Sequence, residues 1–163
     1  NRDKFGFPTQ VHFAVNRHKK WTQILERGQK GTVLADFMPI RDLLFAGHNL
    51  KEQEFAVFSQ LHTVLFPEDR EPDAIVYLTA DTDVLMKRIA KRGRSFENKI
   101  TRKYIESVAN MFHKHFLACE GKTVLVVNTN DYNIVEDSDS VVDIFEQLLH
   151  TRSELQYYTP PVK

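Results

Sequence analysis

The sequence predicts an α/β protein whose parallel sheet is flanked by helices, and three observations predict it. Short apolar, β-branched runs recur along the chain as "GTVLADF", "DAIVYLTA" and "KTVLVVNTN". Between them the apolar positions fall at helical spacing, and turn residues mark the junctions. Strands alternating with helices at these lengths give a layered fold with a parallel sheet. With 163 residues, 42% hydrophobic and 27% charged, the composition suits one compact domain over 1–163.

Taken in order, Val11, Ala14, Val15, Trp21, Ile24 and Leu25 place a long amphipathic helix from Pro8 to about Gly28, since proline is accepted in a first turn. "GTVLADF" reads as a buried strand, and Phe55, Phe58, Leu61 and Leu65 set a helix over 50–65 that stops before Pro67. "PEDREP" is a loop. "DAIVYLTA", residues 73–80, is apolar on both faces, as an interior parallel strand is. Helices follow over about 83–92, broken by Gly93, and about 101–119. "KTVLVVNTN" supplies the last strand, Val141 to Leu149 a closing helix, and "YYTPPVK" a tail lying loosely on the surface.

Lys+Arg and Asp+Glu both number 22, so no global field favours nucleic acid or an anionic membrane, and an anion site must come from local clustering. The single cysteine, Cys119, excludes an internal disulfide and fits a reducing, cytoplasmic setting. No apolar run approaches membrane-spanning length. The opening "NRDKFGFPTQ" begins without Met and reads like the middle of a longer chain.

In open parallel sheets ligands bind beyond the carboxyl ends of the strands, which singles out Asp36, Thr79 to Asp83 and Asn128 to Asp131. Next to the second of these, "RIAKRGRSFENKI" carries Arg88 and Arg92 one helical turn apart, then Gly93, Arg94 and Glu97. Guanidiniums brought to one point repel unless an anion fills it, and their planar forks suit phosphate. A solvated basic helix end is the plainer reading of the same residues. Metal and thiolate chemistry find no support: the seven histidines include no HExxH pair, His113 and His115 point in different directions on a helix, and Cys119 has only Lys122 as a cationic neighbour.

"VYLTADTDVLMKRIAKRGRSFENKI", with Tyr104 four residues on, resembles the strand, helix and lid of the deoxynucleoside kinases, especially the bacterial deoxyguanosine and deoxyadenosine kinases. "FPTQ" is similar to the family's base-binding helix and "ADFMPIRDLLFA" to its strand-end segment. The resemblance covers nearly the whole chain and implies a P-loop kinase-like sheet. It implies that Gln10, Arg17 and Asp42 hold the base, with Asp36 and Arg41 near the substrate. Glu97 would meet the deoxyribose 3′-hydroxyl, while Arg88, Arg92 and Arg94, in a lid over about 88–100, close on the phosphates. Asn130, Asp131, Tyr132 and Asn133 would lie near the adenine of ATP. Gln10 suits the base because one amide offers both donor and acceptor, and a partly buried Arg17 wants a carboxylate such as Asp42.

Two departures stand out. Phe37 occupies the place where the family usually carries an Arg after the strand-end acid, with Arg41 as a substitute from the next turn. No G-x-x-x-x-G-K-[ST] occurs, so the loop that holds phosphate and the Mg²⁺ hydroxyl is absent, as is the family's catalytic acid upstream of "FPTQ". The chain therefore resembles the C-terminal part of such a kinase, without the P-loop strand and helix. The implied activity is ATP- and Mg²⁺-dependent 5′-phosphorylation of a deoxynucleoside, a purine in preference, by a homodimer acting in nucleotide salvage. A thymidylate-type nucleoside monophosphate kinase is one alternative, although its second phosphate-binding Arg is represented only by Arg17 and Arg41. The other is a non-catalytic nucleotide-binding or assembly module.

Overall fold

A computed structural model describes residues 2–28, 31–36, 38–67, 71–132, 138–151 and 153–161. It divides into two compact units, Asn1–Glu71 and Pro72–Lys163.

The first unit is helical. Helix α1 runs Arg2–Gly28, with Pro8 inside rather than at its start. Helix α2 spans Ile40–Asn49 and α3 spans Glu52–Leu65. Each contributes one small or aromatic residue to a common centre: Ala14 from α1, Ala46 from α2 and Phe58 from α3 are all 0% exposed. Phe66, Phe7, Val11, Trp21 and Phe55 close around them. Alanines at the crossing points let the helix backbones approach while Phe58 fills the space between, as interior packing density requires.

Two readings are corrected in this unit. "GTVLADF" does not form a strand among its described residues: 32–35 carry no regular structure, and Leu34 is 86% exposed. Strand-forming side chains become a strand only when a neighbour supplies the hydrogen-bond ladder, and here none is present among the described residues. Asp36 is therefore an exposed bend residue, not a strand end. The residues after it, "IRDLLFAGHN", form α2, a helix the sequence reading had passed over.

The second unit is α/β. Strands β1 (Ala74–Thr79), β2 (Thr123–Asn128) and β3 (Leu155–Tyr158) make a parallel sheet in the order β1-β2-β3. Helices α4 (Thr82–Arg92), α5 (Arg102–Leu117) and α6 (Ser138–His150) connect them. Val124 to Val127 are all buried, which explains why β2 reads as an unbroken apolar run. Its residues alternate between layers: Leu125 and Val127 pack with Ile144 and Leu148 of α6. On the other face, Tyr77 of β1 lies 4.8 Å, ring to ring, from Phe116 of α5.

The tail reading is corrected too. Tyr157 and Tyr158 pair with Val126 and Val127, and Pro160 is buried. The Tyr158 hydroxyl donates to Asp143 Oδ2 on α6. Burial and this carboxylate push the phenol up to about 12. The segment docks because β2 offers an unpaired ladder on that side.

Candidate nucleoside and phosphate site

In the helical unit, of the residues expected at the base, Arg17 of α1 meets Asp42 of α2, and Gln10 lies on the same face of α1 as Arg17. Arg17 and Gln10 are seven positions apart on α1, nearly two turns, so both share the face that buries Ala14. Both are half-buried. Arg17 Nη1 forms an ion pair with Asp42 Oδ1. Asp42, in the first turn of α2, is 1% exposed, and among the described residues neither of its oxygens has a partner of hydrogen-bond geometry. A carboxylate has more lone pairs than one guanidinium contact uses, so Asp42 keeps acceptor capacity for a further donor. Burial, and after it the Arg41 guanidinium, pull the Arg17 pKa below its ordinary value. Arg41 is exposed and lies 5.6 Å over the Phe45 ring, as Arg17 lies 5.7 Å over Phe13. Arg17, Arg41 and Asp42 thus form one charged group.

Asp42 is held by a contact that no sequence pattern signals. Its own N–H bonds the Pro39 carbonyl at 3.0 Å, and His62 of α3, buried, donates through Nε2 to the same oxygen at 2.9 Å. Burial pushes the His62 pKa down, which favours the neutral ring as donor.

In the α/β unit the lid residues follow α4. Gly93 ends that helix in the left-handed region, φ 66°, with its N–H on the Ile89 and Ala90 carbonyls. A single 3₁₀ turn, Ser95–Glu97, then brings Glu97 back to Arg92. Arg92 grips it with two bonds, Nε to Oε2 at 3.1 Å and Nη2 to Oε1 at 2.8 Å, and Arg94 Nη1 lies 3.9 Å from Oε1. Glu97 is 8% exposed, whereas the Arg92 and Arg94 side chains are 48% and 55% exposed. The guanidiniums therefore keep a solvent face although their charge is offset.

Arg88 does not join them. Its guanidinium docks on the end of β2, at Thr129 and Tyr132. The three cations expected to converge are divided between two sets of acceptors. Thr129, which the sequence marks only as part of the strand-end stretch Asn128 to Asp131, is the hub: its N–H and hydroxyl both bond the Thr79 carbonyl at 2.8 Å, tying the ends of β1 and β2 together. Thr79 Oγ1 returns to the Val127 carbonyl at 3.2 Å, and Asp81 N–H reaches Asn130 Oδ1 at 2.7 Å. A threonine directly after an apolar strand was the available clue. Asp131 is exposed and Tyr132 is buried beside Leu125 and Ile144. Asn133 and Phe37 lie outside the described residues.

Among the described residues no group of three or more His, Cys, Asp or Glu could hold a metal ion, and no helix is long and apolar enough to cross a membrane.

The chain is 23% identical over 152 residues to a deoxyadenosine/deoxycytidine kinase of Bacillus subtilis, covering 90% of this chain and 70% of that protein. It is 29% identical over 112 residues to the deoxyguanosine kinase of the same organism, covering 66% of this chain and 53% of that protein. A third similarity, 24% over 129 residues, is to subunit 10 of the NADH dehydrogenase 1 alpha subcomplex of Mus musculus, covering 79% of this chain and 35% of that one. The chain thus spans from about a third to 70% of these relatives' lengths. The deoxynucleoside kinase family profile matches residues 1–151, and the chain belongs to that family.

Proposed function

We propose that this chain forms the nucleoside-binding and lid part of an ATP-dependent kinase that phosphorylates the 5′-hydroxyl of a deoxynucleoside, a purine in preference, in nucleotide salvage. The observation that carries the reading is the buried Asp42, paired with Arg17, which shares a face of α1 with Gln10. A base that presents N–H donors would satisfy the carboxylate, while Gln10 supplies one donor and one acceptor. Asp36 and Arg41 stand near the substrate in this reading.

In the transfer, the 5′ oxygen bonds to the γ-phosphorus as the bond to the departing ADP breaks, and the hydroxyl proton passes to a general base, the role the resemblance gives to the acid upstream of "FPTQ". The chain's contribution is positioning and electrostatic. Arg92 and Arg94 turn their solvent faces to the phosphates. Glu97, released from Arg92 in that exchange, accepts from the 3′-hydroxyl. Asn130, Asp131 and Tyr132, with Asn133, lie by the adenine. Mg²⁺, when bound, offsets charge on the phosphates.

A homodimer fits the apolar side chains left outside on α1 and α3: Phe5, Phe13, Val57 and Val64 are 48–78% exposed. The test of the whole reading is phosphoryl transfer from ATP to a panel of deoxynucleosides by the full-length polypeptide that carries this chain. Nucleotide binding without transfer to any of them would instead favour a non-catalytic assembly module, the reading to which the NADH dehydrogenase subunit similarity lends weight.

A further inference from the structure

The carbonyl of Pro39, at the start of α2, receives two donors. Asp42 N–H reaches it from within the same turn at 3.0 Å, and His62 Nε2 reaches it from the last turn of α3 at 2.9 Å. No side-chain cap holds this end of α2, because Pro39 stands in the cap position and carries no polar side chain. A helix end without a local cap takes its place from tertiary contacts. His62 supplies one and is itself fixed: it is 6% exposed, with its ring 4.7 Å from that of Phe66, the residue that ends α3. Phe66 in turn meets the ring of His18 on α1 edge-on at 5.8 Å, and His18 follows Arg17. The end of α3 thus touches both helices that carry the ion pair of Arg17 and Asp42.

We propose that His62 is a positioning residue for nucleoside recognition: its bond to the Pro39 carbonyl fixes the first turn of α2 and so holds the Asp42 carboxylate in register with Arg17. The proposal rests on the reading above in which Asp42 accepts from the base. Asp42 lies three residues after Pro39 and is bonded to it, so a shift of one is passed to the other. Hydrogen bonds weaken steeply with distance and angle, and a recognition group must be held within about half an ångström by the residues behind it. Asp42 is 1% exposed, so water does little to make up for a misplaced acceptor. His62 itself does not touch the substrate in this assignment; it acts through α2.

The experiment compares wild type, His62→Phe, His62→Gln, Phe55→Leu, and Asp42→Asn with and without His62→Phe, all in the full-length polypeptide. Calorimetric Kd values for deoxyguanosine and deoxyadenosine, steady-state kinetics and urea unfolding are read for each. His62→Phe keeps a ring and removes the donor. It is expected to raise the nucleoside Kd and KM about fivefold, the scale of one neutral hydrogen bond. The kcat at saturation and the ATP KM should stay within about twofold, since His62 touches no reacting atom. His62→Gln, which keeps a donor, should recover most of the loss. Phe55→Leu trims a core residue of α3 away from Pro39, so it should lower the urea midpoint and leave the nucleoside Kd within about twofold. In the Asp42→Asn background, His62→Phe should add less than about twofold, because the group it positions is gone.

An unchanged nucleoside Kd in His62→Phe would overturn the proposal. So would a full effect of His62→Phe in the Asp42→Asn background, or an equal loss of affinity in Phe55→Leu, which would reduce His62 to a stability role. Should His62→Phe not fold, His62→Asn, whose shorter amide falls short of Pro39, decides by the same readouts. A wild type that binds deoxynucleoside but transfers no phosphate defeats the kinase reading alone, and the Kd series still decides the role of His62. A wild type that binds no deoxynucleoside defeats both.

Discussion

Glu97 offsets one of the two charges of Arg92 and Arg94, holding Arg92 with two hydrogen bonds and standing within reach of Arg94, so a net positive charge is left for an anion such as the phosphate of the proposed reading. A residue whose work begins when that anion arrives should matter to the reaction more than to binding. Arg94→Ala should lower kcat of the full-length kinase on the order of 10²-fold while the nucleoside KM moves little. Glu97→Gln should narrow the preference for substrates with a 3′-hydroxyl over 2′,3′-dideoxynucleosides. Kinetics with paired substrates check both, and Lys87→Ala, outside these contacts, serves as the charge control. In the helical unit, Asp42→Asn should destabilise the fold by about 3 kcal/mol, the low end for breaking a buried pair because Arg17 keeps 21% of its side chain in solvent. Urea unfolding measures it. The Arg17 and Asp42 partnership was implied by the family resemblance and agreed with the need of a half-buried cation for a carboxylate. The destination of Arg88 was not legible, since a long side chain reaches several acceptors and only the folded β2 end fixes which.

Helices and strands differ in how much of their cause is local. α4 was read within a residue of its bounds because Gly93 stops it, and that stop is testable. Nothing lies within 4 Å of a Cβ built on Gly93, so Gly93→Ala meets no clash, only the left-handed backbone at φ 66°. The variant should lose about 1 kcal/mol, read as a lower thermal midpoint. Strands obeyed a rule the sequence does not carry. "GTVLADF" has the composition of one and lacks a ladder partner among the described residues, whereas "LQYY", short and polar, becomes β3 because β2 stands beside it. α2 was hidden by reading Asp42 as part of a strand end. It is held by His62, and this leaves a pH signature. The folded His62 pKa lies below its ordinary 6.5, so between the two values the unfolded chain binds the extra proton. Stability contributed by neutral His62 is therefore present above about pH 6.5 and is lost as pH falls toward the folded value. His115, also lowered by burial, adds in the same direction. The urea midpoint should fall from pH 7.5 to 5.5, and His62→Gln, which keeps a donor near the Pro39 carbonyl, should flatten that fall. An equal pH slope in His62→Gln would assign the effect elsewhere.

For the molecule as a whole, the proposed reading makes base selection depend on which atoms a substrate would offer to the acceptor-only carboxylate of Asp42. Guanine presents an N–H and an adjacent amine side by side, a pair matched to the two oxygens of Asp42, and adenine presents one amine. Thymine presents an imide N–H between two carbonyls, which would set a carbonyl oxygen against the carboxylate with no water to intervene. Gln10, able to rotate its amide, would serve either edge in the proposed reading and so would not choose. The full-length kinase should therefore favour deoxyguanosine and deoxyadenosine over thymidine by about tenfold or more in kcat/KM, the scale of a buried polar group left unpaired. Deoxycytidine, whose amine also donates, belongs in the same assay as the competitor that Asp42 alone does not reject. Competition between the four nucleosides at one ATP concentration gives the ratios directly. Because both enzymes see the same mixture, Asp42→Asn supplies the internal check: an amide can donate to a thymine carbonyl, so the thymidine disadvantage should shrink. Comparable thymidine turnover by the unaltered enzyme would remove Asp42 from the base pocket.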